Sequence, residues 1–174
     1  MEQAVRETRQ AAEETAEASE EEDDSPPPPP LASEPTATFT ARGGLVVAID
    51  GALGESNRGN RRKMTDINYR EGEDTIEVTW AADDNFSSGF IVTGIQSDAA
   101  AVLRAIDESG VEYERVFLAA TFALRDAAGN DSEEEVMLAS FDRETIERIN
   151  WDNFLATDVF ELAINYNLAP VLSE

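Results

Sequence analysis

Residues 115–141 read RVFLAATFALRDAAGNDSEEEVMLASF, two apolar runs around a polar turn that contains a glycine. In the first run Val116, Leu118, Ala120, Phe122 and Leu124 alternate with Phe117, Ala119, Thr121 and Ala123, so both faces are largely apolar. Such a strand is expected at the centre of a sheet, or covered on both sides. Its partner over residues 136–141 sends Val136 and Leu138 to one face and Met137, Ala139 and Phe141 to the other. Gly129 and Asn130 tolerate the positive φ of a tight turn, and Asp126 offers an Asx-type bond. The pattern predicts a β-hairpin.

Elements of both periods flank it. Residues 74–80, DTIEVTW, alternate with Ile76, Val78 and Trp80 on one face, which predicts a half-buried strand. Residues 93–109 carry Ile95, Ala99, Val102 and Ile106 at spacings of four, three and four, with Leu103 widening the stripe. This predicts a helix capped by Gly110, with Ser97, Asp98, Arg104, Asp107 and Glu108 on its wet side. The short run LVVAI, residues 45–49, is expected to be a first strand. Asp142 is placed to cap a helix over residues 143–149, with Ile146 and Ile149 facing inward. A last helix is expected from Thr157, with Leu155, Val159, Leu162, Ala163 and Tyr166 as its buried stripe and Pro170 ending regular structure. The expected fold is α+β: a small antiparallel or mixed sheet with a central hairpin, packed against two or three helices.

That domain is expected to occupy residues 42–174. Residues 1–24 are rich in Ala and Glu with no apolar stripe to bury, and are expected to be disordered. SPPPPP, residues 25–30, is a polyproline II spacer or a ligand for an aromatic groove, and residues 31–41 continue as a polar linker.

Charge sharpens the picture. Acids outnumber bases 37 to 13, a net charge of −24. The excess is not confined to the tail, since residues 31–174 hold 27 acids and 11 bases. Such a body should repel nucleic acid and anionic membranes. Lys63 is the one lysine beside twelve arginines, as a GC-rich genome or a salt-adapted protein would give. With no Cys and no His, thiol or histidine catalysis and Cys/His zinc sites are excluded. Neither a Walker-type phosphate loop nor a dinucleotide-binding glycine fingerprint occurs. Residues 1–24 do not form a signal peptide, and no apolar run approaches the roughly 20 residues of a membrane helix.

Three groups of residues have chemistry worth placing. Arg58, Arg61, Arg62 and Lys63 put four positive charges within six residues; they form an anion site or a loop that neutralises part of the acidic body. Asp83 and Asp84 in one turn, and Asp126 and Asp131 beside Glu133, Glu134 and Glu135 in another, supply oxygen donors for calcium or another divalent cation, without the spacing of a calcium loop. Turn chemistry and solvation explain the same acids without a cation. Trp151, Asp152 and Asn153 belong to NWDNF, a ligand-gripping aromatic cluster or a helix corner.

Three stretches, DAAAVLRAIDESGVEYERV at 98–116, TFALRDAAGNDSEEEV at 121–136 and RETIERINWDNF at 143–154, resemble a family of small bacterial cell-envelope proteins of uncharacterised function, often lipoproteins or single-span proteins. The resemblance implies a non-enzymatic, extracytoplasmic module behind an anchor and linker, and brings no catalytic residues. The anchor would lie upstream of Met1, and NLAPVLSE lacks the histidine-containing ending of that family. The expectation is a non-catalytic binding module for a protein or surface polymer, with no cofactor, touching membrane only through an anchor. A carboxylate-based metal-dependent hydrolase and a structural component of a larger assembly, such as a viral one, are the alternatives.

Overall fold

The computed structural model describes residues 36–70, 72, 74–85, 87–125 and 128–172. The acidic and proline-rich stretches lie outside the described residues.

Five strands form one sheet in the order β1 (Met64–Arg70), β2 (Thr75–Ala81), β3 (Arg115–Arg125), β4 (Asp131–Asp142) and β5 (Asn165–Leu168). β2 and β3 run parallel, and every other neighbouring pair is antiparallel. The fold is therefore α+β with a mixed sheet. A parallel pair needs a crossover, and α2 (Ser88–Ser109) supplies it. β3 lies at the middle of the sheet. Its pairs Val116–Phe141, Leu118–Ala139 and Ala120–Met137 face the helices, and all six residues are buried. From β2, Ile76, Val78 and Trp80 join the same core. Burying a large aliphatic or aromatic side chain stabilises the fold by about 1.5–3 kcal/mol.

Of the two placements its apolar faces predict, β3 takes the central one, without full cover on both sides. On the opposite face, Phe117 is 41% and Leu138 44% exposed.

α2 starts one turn earlier than its periodicity predicts, because the Ser87 side chain accepts from the Phe90 backbone N–H. It ends at Gly110, whose φ of 67° only glycine adopts freely. Ile91, Ile95, Ala99, Val102, Leu103 and Ile106 form its buried stripe. Length and mean hydropathy would let this helix cross a membrane, contrary to the reading of the sequence, but this stripe packs into the core.

The expected strand at 45–49 is a helix. α1 (Thr36–Leu53) runs through it and takes residues 36–41, expected as linker, into its first turns. A strand would place Leu45, Val47 and Ile49 on one face. Instead Leu45 and Ile49 are buried, with Leu53 one turn further on, while Val47 is 72% exposed. Five apolar residues are too few to separate the two periods.

α3 (Arg143–Glu147) is shorter than expected but capped as expected: Asp142 Oδ1 accepts from the Thr145 N–H at 2.7 Å. The last helix is corrected. Ala156–Leu162 form a 3-10 helix that buries Val159 and Phe160. At Ala163 the backbone extends, and Ile164 N–H bonds to Ser140 O, committing the chain to β5. Leu155 and Tyr166, expected inside, are 65% and 55% exposed. Pro170 opens a second 3-10 turn, Pro170–Leu172, rather than ending regular structure.

Candidate functional site

Because β2 and β3 are parallel and β1 and β4 run against them, one end of the sheet gathers the ends of β2 and β3 and the starts of β1 and β4. The loop between α1 and β1 folds over that end. Asn57 organises it: its backbone N–H donates to Arg61 O, its Oδ1 accepts from Arg61 N–H, and its Nδ2 donates to Ala82 O. Asn60 turns the chain at a φ of 57°, a conformation asparagine tolerates better than most residues.

Lys63 closes the loop. Its Nζ lies 2.7 Å from Asp98 Oδ1 on α2 and 3.2 Å from Asp83 Oδ2 after β2. The side chains of Lys63 and Asp98 are only 9% and 13% exposed, and that of Asp83 24%. Asp83 Oδ1 also accepts from the Arg58 backbone N–H at 2.8 Å. The fully buried Trp80 favours the charged form of Asp98, although among the described residues neither Trp80 Nε1 nor Asp98 Oδ2 has a hydrogen-bond partner.

One base is shared between two acids, and the proton affinities follow. Burial lowers that of Lys63, but the hydrogen bonds and charges of Asp98 and Asp83 outweigh it, so its pKa stands above the ordinary lysine value. Burial pushes the Asp98 carboxyl up; Lys63 pulls it down, and the Asp83 charge pushes it up again.

The network continues across the sheet. Arg61 pairs with Glu133 at 2.7 Å. The other Glu133 oxygen accepts from the Thr121 hydroxyl, also at 2.7 Å. Arg62 lies 3.5 Å from Asp50. Of the four basic residues singled out in the sequence, Arg58 thus contributes its backbone N–H, and Arg61, Arg62 and Lys63 each face a carboxylate. Arg61 and Arg62 meet their acids at the surface, and Lys63 meets its two from inside.

Among the described side chains of the candidate cation ligands are Asp83 and Asp84. Both Asp83 oxygens are engaged, and Asp84 is exposed. Asp126 lies outside the described residues, and Asp131 is described only by its backbone, paired with Arg125. Among the described residues no group of three or more acids is placed to hold a metal ion. Trp151 donates to Asp107 Oδ2 at 2.8 Å and meets Phe154 edge-on, which pins the corner after α3 to α2. Asp152 and Asn153 are exposed beside it.

Asp98 was assigned to solvent by its polarity. Its position had a signal: three residues after Ile95 and four before Val102, it lies on the apolar stripe.

At the other end of the sheet an open hollow of about 600 Å³ is bordered by Glu112, Glu114, Glu144 and Glu147 around Arg143. Arg143 pairs with Glu112 and Glu147 and stacks over the Tyr113 ring. Among the described residues the buried Tyr113 hydroxyl has no hydrogen-bond partner, and burial, reinforced by Asp107, pushes its pKa up to about 12.

A third feature is apolar. Phe117, Leu138, Ser140, Asn165, Tyr166 and Asn167 line a groove of about 360 Å³ over β3, β4 and β5. No protein-family description, curated protein or solved structure matches the chain.

Proposed function

We propose that this domain is a non-catalytic interaction module, displayed at a bacterial surface behind its proline-rich linker, and that the uncovered sheet face is its recognition surface. The observation that carries this reading is the exposure of Phe117 and Leu138, at 41% and 44%, on adjacent strands of the same face. Neighbouring exposed apolar side chains, rimmed by Ser140, Asn165 and Asn167, have the composition of a contact surface, with an apolar centre and a polar edge. Lys63, Asp83 and Asp98, by contrast, are engaged with one another.

Charge selects the partner. With 27 acids against 11 bases in residues 31–174, the domain attracts cationic chains and repels anionic ones. The occupant is a protein segment that carries apolar side chains between basic ones. Surface display rests on the linker composition and on the resemblance described above.

A synthetic peptide alternating Leu and Arg tests the reading by isothermal titration. Binding to the wild type, weakened at least tenfold by Leu138→Ser in a variant with unchanged circular dichroism, is the expected result. Equal affinity for both proteins would remove the sheet face from the reading.

A further inference from the structure

We propose that the Lys63 and Asp98 side chains join in an amide bond that the chain forms by itself, covalently fastening the loop before β1 to α2. The two groups touch, at 2.7 Å, across 35 positions of sequence. They do so almost out of water, with the Lys63 and Asp98 side chains 9% and 13% exposed. A second carboxylate, Asp83, lies 3.2 Å from the same nitrogen. The indole N–H of Trp80, fully buried and without a hydrogen-bond partner among the described residues, favours the charged form of Asp98. These four side chains are an amine, an acyl carbon, a proton carrier and an oxyanion donor.

The step balances without any further reactant. Asp83 takes a proton from the Lys63 ammonium. Asp83 hands that proton to Asp98, whose neutral form burial favours, and the free amine attacks the resulting acid at Cγ, forming the Nζ–Cγ bond. Negative charge develops on an Asp98 oxygen, where the Trp80 N–H helps to hold it. Asp83 then carries a second proton from the nitrogen to the departing oxygen. The bond from Cγ to that oxygen breaks, and the oxygen leaves as water with two protons that began on Lys63. Nothing is oxidised or reduced, and Asp83 ends ionised, as it began.

Burial drives the exchange. In bulk water, hydration holds an ammonium and a carboxylate apart from their amide. Here both ions have lost most of that hydration, a penalty that a neutral amide does not carry. The fold also holds the reactants together; well-oriented groups reach effective concentrations of about 10⁵–10⁸ M. The raised proton affinity of Lys63 keeps the free amine scarce, so the bond forms slowly after folding.

Lys63 is the only lysine, which makes the test direct. The full chain is purified, incubated for several days in its native state, unfolded in denaturant and treated with a lysine-specific protease. An amide on Nζ blocks cleavage. The expected result is an uncut chain whose intact mass is one water below the sequence mass, while Asp98→Ala is cut once. Lys63→Arg should keep its full mass, which separates this loss from dehydration elsewhere in the chain. A wild-type chain cut completely into residues 1–63 and 64–174, at full mass, would overturn the proposal. The wild-type result stands alone even where a variant fails to fold.

Discussion

Lys63 Nζ sits between Asp98 and Asp83, 2.7 Å from one and 3.2 Å from the other, and ties three separate segments to the end of the sheet. Replacing Lys63 by Met would leave two carboxylates facing each other in a nearly dry site. Removing one partner of a buried ion pair typically costs about 3–5 kcal/mol. Against freshly folded wild type, in which the two groups are still an ion pair, we expect Lys63→Met to lose about that much in urea unfolding, and Lys63→Met/Asp98→Leu to recover part of it. A loss below about 1 kcal/mol, the range of an exposed ion pair, would show that the cluster is solvated.

Gly43 and Gly44 lie inside α1 with ordinary helical geometry, exposed, and with nothing within 4 Å of a methyl group built on either. Neither glycine is required for packing or for a positive φ. Each substitution by Ala should stabilise the domain by about 0.5–1 kcal/mol, through helix propensity and a less flexible unfolded chain. Thermal unfolding of Gly43→Ala and Gly44→Ala checks this. Destabilisation by either would mean that this segment is not helical in solution.

Tyr113 sets an alkaline limit. Its phenol titrates near 12 in the folded chain, against an ordinary value of 10. The folded pKa is the higher one, so the folded state binds more protons between these values, and stability falls as pH rises through that window. Below pH 10 the contribution is complete. We expect the melting temperature to fall between pH 10 and 12, and the fall to be shallower in Tyr113→Phe. Ultraviolet titration should show one late phenol in the wild type that this variant lacks. Identical pH profiles for the two proteins would count against a buried, unpartnered hydroxyl.

The sequence made the middle of the fold legible because its periods there run long enough to be unambiguous. Seventeen residues of helical spacing gave α2, and the uninterrupted alternation around Gly129 gave the hairpin. The edges were harder. In β1 Met64 is buried and Ile67 and Tyr69 are half-buried, at spacings of three and then two, so no clean alternation marks the strand. Pairing with β2 makes it a strand. β5 is four residues long, and its mostly exposed side chains carry no core pattern. A helical spacing through Tyr166 was misleading, because that ring stacks on Phe160 from the sheet edge rather than from a following helical turn.

The polar network was half legible. Arg61, Lys63 and Asp83 stood out by charge and by their place in turns. What joins them did not, because contacts across 20, 35 and 72 positions have no local signature. The open sheet face was missed for a different reason. Phe117 and Leu138 read as core because they are apolar, and only the topology leaves their face uncovered.

The most direct test maps where a cationic apolar peptide lands on the isotope-labelled full chain, by amide chemical-shift perturbation under titration. The account predicts shifts centred on Phe117, Leu138, Ser140 and Asn167, persisting at salt concentrations that screen exposed charges. Shifts scattered over the acidic surface, absent from that face and erased by salt, would contradict it.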